Sequence, residues 1–185
     1  MFEQEIIKNI VNGDSSKFRG LVEKYQPIVF RTIMGFVHSK EDAEDLTQDV
    51  FIAAYQSIQK YQGDAEFSTW LYRIAVNISI NHVNKFNRRN VFQQVGDFIQ
   101  NFGSNASNDR NPEEQTIENE KEKQIKNAID TLTEKQRTSF ILSKYDDLSQ
   151  KEIAEIMNIS EGAVEQHLQR ARKNLQQKLA SLVGK

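Results

Sequence analysis

The chain has 185 residues, 27% of them charged and 38% apolar, with a net charge of −2, which suits one medium or two small soluble domains. Zero cysteines exclude a disulfide framework, a thiolate metal site and a cysteine nucleophile. No apolar run is long enough for a membrane span or a signal core, so a cytoplasmic protein is expected.

Charge placement says more than the total. Leu71 to Asn90 carries Arg73, Lys85, Arg88 and Arg89 without a carboxylate, and Gln166 to Lys185 carries Arg170, Arg172, Lys173, Lys178 and Lys185 without one. Acid gathers in Glu41–Asp49 and Glu113–Glu122. Solvated helix faces would give such runs, and so would surfaces for more than one kind of partner.

Helical periodicity runs from Glu3 to about Asn90. Phe18, Leu21, Val22, Tyr25, Val29 and Ile33 form one core stripe, and Ala43, Leu46, Val50, Ala54 and Ile58 a second. The acids Glu41, Glu44, Asp45 and Asp49 lie mostly off that stripe. Gly63 and Asp64 break the helix. Ser68 or Thr69 is the expected cap of the next, whose apolar positions include Leu71, Ile74, Ala75, Ile78 and Val83. From Val91 to Asn111 the chain turns to Asn, Gly and Ser and reads as a linker, ordered at best up to Phe102.

Periodicity returns after Pro112. Thr133 with Gln136 and Ser149 with Glu152 have capping-box spacing, and Ser160 can cap a further helix. Ile153, Ala154 and Met157 offer one apolar face, and Val164, Leu168 and Leu175 another. Asn158 stands where a sharp turn needs a left-handed residue, and Ile159 plugs the corner. This pattern fits a helix-turn-helix with Glu161–Arg172 as recognition helix; a plain helical hairpin would share it. Glu161 suits the helix dipole. Glu165 and Gln166 could meet base edges, while Arg170, Arg172 and Lys173 could meet phosphates.

Three segments resemble the extracytoplasmic-function (ECF) group of RNA polymerase sigma factors, in the sigma-70 family. "DAEDLTQDVFIAAYQSIQKY" is similar to the polymerase-binding segment of sigma domain two. "GDAEFSTWLYRIAVNISINHVNKFNRR" is similar to the segment that melts and reads the −10 element. "LTEKQRTSFILSKYDDLSQKEIAEIMNISEGAVEQHLQRARKNL" is similar to sigma domain four, which reads the −35 element. The resemblance implies an all-α chain of two small helical domains: a domain-two bundle over 1–92, a flexible linker over 93–115, and a domain-four helix-turn-helix over 116–185.

It also implies roles. Asp45, Gln48, Asp49 and Ile52 would bind the coiled coil of the largest polymerase subunit, and the second-largest-subunit flap would hold domain four. Tyr61, Asp64, Phe67, Trp70, Arg73, Asn77, Lys85, Arg88 and Arg89 would take the −10 DNA. Ser160, Glu161, Gly162, Ala163, Glu165, Gln166, Gln169, Arg170, Arg172 and Lys173 would take the −35 DNA. Trp70 and Tyr72 fit a core position as well as a stacking platform. Many members are basic early in the recognition helix, where this chain has Glu161 and Glu165, so a −35 preference does not carry over. The resemblance further implies promoter DNA as partner, a monomer when free, and control by an anti-sigma factor, often membrane-anchored.

A stand-alone helix-turn-helix regulator would use Ser149–Leu175 equally well, but leaves the aromatic, basic Phe67–Arg89 segment without a purpose. An enzyme reading rests on His38, Asp42, Asp45 and Asp49 at roughly helical spacing. The helix start Ser39-Lys40-Glu41 puts His38 ahead of that helix, and no phosphate-binding, metalloprotease or nucleophile-elbow string occurs. No catalytic residue, cofactor or metal is therefore expected.

Overall fold

A computed structural model describes residues 2–100 and 117–183, with side chains over 3–86 and 120–180. Among the described residues the regular structure is helical throughout: α1 (Phe2–Val11), α2 (Phe18–Val37), α3 (Lys40–Ser57), α4 (Phe67–Gln100), α5 (Ile117–Asp130), α6 (Glu134–Lys144), α7 (Gln150–Met157) and α8 (Glu161–Val183). Short 3-10 turns precede α2 and follow α3.

The first body packs α1 to α4. Leu21, Tyr25, Val29 and Ile33 of α2 meet Ala43, Leu46, Val50 and Ala54 of α3, with Leu71 and Ala75 of α4 closing the core. Ile33 and Val50 are fully buried, and each such side chain contributes about 1.5–3 kcal/mol by leaving water. α2 ends where His38 turns left-handed at φ 58° and gives its N–H to Met34. Ser39 then caps α3, its hydroxyl accepting from the Asp42 N–H at 3.3 Å. The Glu3 carboxylate, accepting from the Tyr25 hydroxyl at 2.9 Å, ties α1 to α2.

The cap expected for α4 is displaced. α4 begins at Phe67, and the Glu66 carbonyl takes the Trp70 N–H at 3.1 Å. Ser68 and Thr69 therefore stand inside the first turn, with Thr69 buried. At its other end α4 runs on to Gln100, past the expected boundary at 92. No proline interrupts that stretch to stop it. The rest of the expected linker lies outside the described residues, and its flexibility remains an expectation of the sequence.

The second body packs α5 to α8. The Ser149 cap is reciprocal: its N–H donates to the Glu152 carboxylate at 2.8 Å and its hydroxyl accepts from the Glu152 N–H at 3.3 Å. Asn158 sits at φ 53°, ψ 50°, the left-handed corner between α7 and α8. Gln136 accepts from the Thr133 N–H at 3.4 Å and from Asn174 at 3.1 Å, joining α6 to α8. Arg137 is buried, where its guanidinium donates to Asp130 at 2.6 Å and to the Ile129 carbonyl at 3.3 Å. Burial lowers its pKa and Asp130 opposes that.

The two bodies share one apolar cluster. Phe36 of α2 and Tyr72 and Val76 of α4 pack with Ile141, Leu142, Ile153, Ile156, Val164 and Leu168 of the second body. α7 rests on α4, and α6 rests on α2.

Candidate functional site

Three surfaces carry the residues singled out in the sequence. On α3, Asp45, Gln48 and Asp49 are exposed, and Ile52 beside them is 54% exposed. Their spacing of three and four puts them on one outward face, because Leu46, Val50 and Ala54 turn the opposite face into the core. Tyr55 extends this face at 46% exposure, its ring edge-on to Phe18 at 5.1 Å. An acidic face with an apolar centre suits a basic, partly apolar partner.

The second surface runs from Tyr61 along α4. Tyr61, Phe67 and Trp70 form an aromatic cluster, each pair of ring centroids 5.4–5.7 Å apart. Phe67 is 2% exposed and packs on Tyr25 at 5.5 Å, so its ring is the floor of the cluster. Tyr61 and Trp70 are half-buried and keep an outer edge. The Tyr61 hydroxyl donates to the Ala65 carbonyl at 2.7 Å, which pins the loop carrying Gly63 at φ 80° and exposed Asp64. Burial raises the pKa of this phenol, with Glu3, Glu66 and Asp64 adding to the shift. Tyr72, left open between core and platform, is core: it is 8% exposed between the two bodies, and burial pushes its pKa up.

Further along α4, Lys85 is exposed and Phe86 is 58% exposed. Arg88 and Arg89 lie on the described backbone of α4, and their side chains lie outside the described ones. Arg73 and Asn77 border an open cleft of about 500 Å³ that Lys135, Met157 and Asn158 of the second body also line. The Arg73 guanidinium donates to the Glu155 carbonyl of α7 at 2.6 Å.

The third surface is the outer face of α8. Ser160 caps the helix by accepting from the Ala163 N–H at 3.2 Å. Glu161, Gly162, Glu165, Gln166, Gln169, Arg170, Arg172 and Lys173 are exposed, while Ala163 is half-buried. Gln169 donates to the Glu165 carboxylate at 3.2 Å. Val164, Leu168 and Ala171 face inward and fix which side of α8 looks out. His167 has its Nδ1 buried without a hydrogen-bond partner, and burial, Lys135 and Arg170 depress its pKa.

Sequence reasoning passed over Tyr55 and Phe86. Tyr55 falls three residues after Ile52, one turn along the same face. Phe86 is an aromatic set between Lys85 and Arg88, where a core stripe has no use for it. Among the described residues no group of three His, Cys, Asp or Glu side chains is arranged to hold a metal ion, and no helix is long and apolar enough to cross a membrane.

Comparison with known proteins gives two family matches: Sigma-70 region 2 over residues 21–89, and Sigma-70 region 4 over residues 122–175. The RNA polymerase sigma-H factor of Pseudomonas aeruginosa is 33% identical over 98% of this chain and 95% of that protein. The ECF RNA polymerase sigma-E factor of Escherichia coli is 33% identical over 98% of this chain and 96% of that protein. Among solved structures, CnrH in complex with the cytosolic domain of CnrY matches with a TM-score of 0.66 at 20% identity, covering 95% of this chain and 96% of that one. The sigma factor RpoE in complex with the anti-sigma factor NepR, from Bartonella quintana, matches with a TM-score of 0.60 at 21% identity, covering 88% and 96%.

Proposed function

The chain belongs to the sigma-70 family, as a sigma factor of the extracytoplasmic-function group, and from that premise we propose how its three surfaces divide the work of promoter recognition. Asp45, Gln48, Asp49 and Ile52, extended by Tyr55, dock on a basic coiled coil of the largest polymerase subunit. The complementary charge speeds and orients the encounter, and the apolar centre slows departure. The second-largest-subunit flap holds the second body in the holoenzyme.

Domain two spans 1–92 in this reading and domain four 116–185. Domain four anchors at the −35 element through α8: Ser160, Glu161, Gly162, Ala163, Glu165 and Gln166 face the bases, while Gln169, Arg170, Arg172 and Lys173 meet the backbone. Domain two captures the melted −10 strand. Tyr61 and Trp70 present ring edges for stacking over the Phe67 floor, Asp64 reads from the loop, and Asn77 borders the base pocket. Arg73, Lys85, Arg88 and Arg89 neutralise phosphates, and Phe86 offers a further stacking face. Nothing in this division asks the chain itself to catalyse a reaction or hold a cofactor. The chain works in the cytoplasm as a monomer, restrained by an anti-sigma factor that is membrane-anchored in one version of this reading.

The observation that carries the reading is the separation of the faces. The acidic face of α3 and the outer face of α8 are both open to solvent, and they lie on different bodies of one chain. One surface can hold polymerase while the other holds duplex DNA. Run-off transcription with sigma-free bacterial core polymerase on a genomic promoter library tests it. Defined transcripts that require the chain are expected, and mapping them gives both promoter elements. No transcripts and no binding to core, combined with tight specific binding of promoter duplex by the chain alone, would replace this reading with a stand-alone regulator.

A further inference from the structure

α1 has no part in the three surfaces described above, and the Sigma-70 region 2 match begins only at residue 21. The fold nevertheless gives α1 a fixed place. Ile7 and Ile10 are 5% and 6% exposed, inside the first core. Glu3 accepts from the Tyr25 hydroxyl at 2.9 Å and pairs with Lys24. The helix also packs on the 3-10 turn Ile58–Lys60, which leads directly into Tyr61. Between α1 and the loop Tyr61–Gly63 lies an open cleft of about 510 Å³. That volume falls within the range of about 300–1,000 Å³ common for ligand sites.

The lining of this cleft suits an unpaired base. Val11, at the end of α1, is 41% exposed, although a side chain of its kind gains by leaving water. Ile7 lies one turn earlier on the same side of α1 and also lines the cleft. Tyr61 forms the opposite wall. Its ring is held 5.4 Å from Trp70 and 5.7 Å from Phe67, and its hydroxyl donates to the Ala65 carbonyl at 2.7 Å. Gly63 presents bare backbone at φ 80°, with open space where a Cβ would stand. Gln4 and Asn12 from α1 and Gln62 from the loop add exposed carboxamides on both sides. A carboxamide both donates and accepts, as the polar edge of a base requires. Lys8 adds a cation, and among the described lining residues none is a carboxylate.

We propose that this cleft is a second base-binding site on domain two: an unpaired base of the melted −10 strand enters between α1 and the Tyr61 loop, stacks on the Tyr61 ring against Val11 and Ile7, and has its edge read by Gln4, Asn12 and Gln62 while Lys8 meets its phosphate. The inference rests on the −10 reading of the Tyr61–Arg89 segment and extends it. Asn77 borders a different cleft, on the other flank of α4, and the two linings share no residue. Tyr61 is the point of continuity. It ends the aromatic cluster proposed to capture the strand, and it walls the α1 cleft. A strand that follows α4 past Trp70 therefore arrives here. A base held in this cleft cannot return to its duplex partner, so it sustains melting at its own promoter position. Its stacking is tolerant of sequence, and the carboxamides supply the preference.

The test uses the full chain in holoenzyme with core polymerase. The probe is a fluorescent single strand carrying the −10 sequence of a promoter mapped by run-off transcription, with copies that carry an abasic site at each position in turn. Val11→Trp fills the cleft, and Gln4→Ala with Asn12→Ala removes two of its carboxamides. All three positions are exposed, so thermal midpoint and core affinity should match those of the unmodified chain. Affinity for the intact strand should fall about tenfold in Val11→Trp. One abasic position should cost the unmodified chain as much, and there Val11→Trp should add no further loss. At that position the Gln4→Ala, Asn12→Ala variant should level the preference among the four bases, while Asn77→Ala should couple to a different position. Unchanged affinity of Val11→Trp for the intact strand overturns the proposal. So does a loss that is equal on every abasic strand, since the cleft would then hold backbone and no base, and so does an unlevelled preference. If Asn77→Ala and Lys85→Ala also leave strand affinity unmoved, the −10 reading of α4 fails as well. Absence of core binding by the unmodified chain marks instead the failure of the sigma-factor reading.

Discussion

The two helices assigned to DNA, α4 and α8, are restrained in different ways. α8 presents its whole outer face, and Glu161 and Glu165 stand exposed on it among the groups proposed to approach the duplex. α4 carries no carboxylate between Leu71 and Asn90, and its restraint is steric: Arg73 is tied to α7, and Tyr72 and Val76 lie under the second body. The open helix carries opposing charge on its outer face, whereas the helix without carboxylates is packed along one flank against the second body. In the proposed division of roles, each body alone holds nucleic acid weakly, and the expected outcome is that stable promoter binding needs polymerase to bring the two together.

The most damaging way to separate the two helices is to remove the core beneath one of them. Leu168 is 5% exposed, inside the cluster that fixes the face of α8 and supports the cover of α4. Leu168→Ala should cost about 2–5 kcal/mol, read as a lower thermal midpoint. Duplex −35 binding should fall with it. Single-strand capture by α4 should be retained or gain as the cover loosens; a parallel loss of both activities would show that the helices do not act independently.

Next in size, Asp45→Arg with Asp49→Arg reverses the charge of the α3 face without touching either DNA helix. Core affinity should fall about tenfold to a hundredfold, as like charges now meet across the contact. The −35 duplex affinity of the free chain should not move, and a native-gel titration with core measures the contrast. Smaller still, Arg88→Ala with Arg89→Ala should weaken promoter opening about tenfold and leave core affinity alone. Losing two phosphate contacts to a single strand lowers its salt slope by about 1.4. Equal effects of both pairs on core affinity would sink the division of roles between α3 and α4.

Much of this arrangement is legible in the chain. Ala43, Leu46, Val50, Ala54 and Ile58 read as a stripe and are all buried. Asn158 reads as a left-handed corner and is one, because such positions leave few residue choices. The start of α4 is misread because Ser68 and Thr69 have capping chemistry but stand two and three residues past the cap position at Glu66, whose carbonyl accepts the first helical bond, from the Trp70 N–H. The closed interface is not legible at all. Tyr72 and Val76 share their helix with core residues Leu71 and Ala75, and apolar residues flanking a core stripe look like a wider stripe. Asp146 reads as one more loop acid, since its partners Arg31 and Thr32 lie more than a hundred residues earlier. Periodicity reports which face of a helix is dry, and not which neighbour keeps it so.

The smallest expected effect tests whether the restraint on α8 is truly its own charge. Glu165 is exposed, one turn into the proposed recognition helix, and accepts from Gln169 at 3.2 Å. Replacing an exposed residue of this kind changes stability by about 0.5 kcal/mol at most, so Glu165→Lys should unfold as the unmodified chain does. Its effect belongs in nonspecific duplex binding, where a repelled phosphate becomes a paired one. Affinity for random-sequence duplex should rise several-fold at low salt, and the dependence of log affinity on log salt should steepen by about 0.9. Because Glu165 lies on α8 and touches no residue of α4, single-strand affinity should stay where it was. A flat response in duplex binding would mean that phosphates never approach Glu165; the start of α8 would then face bases alone, and its acids would set sequence preference with no part in limiting affinity.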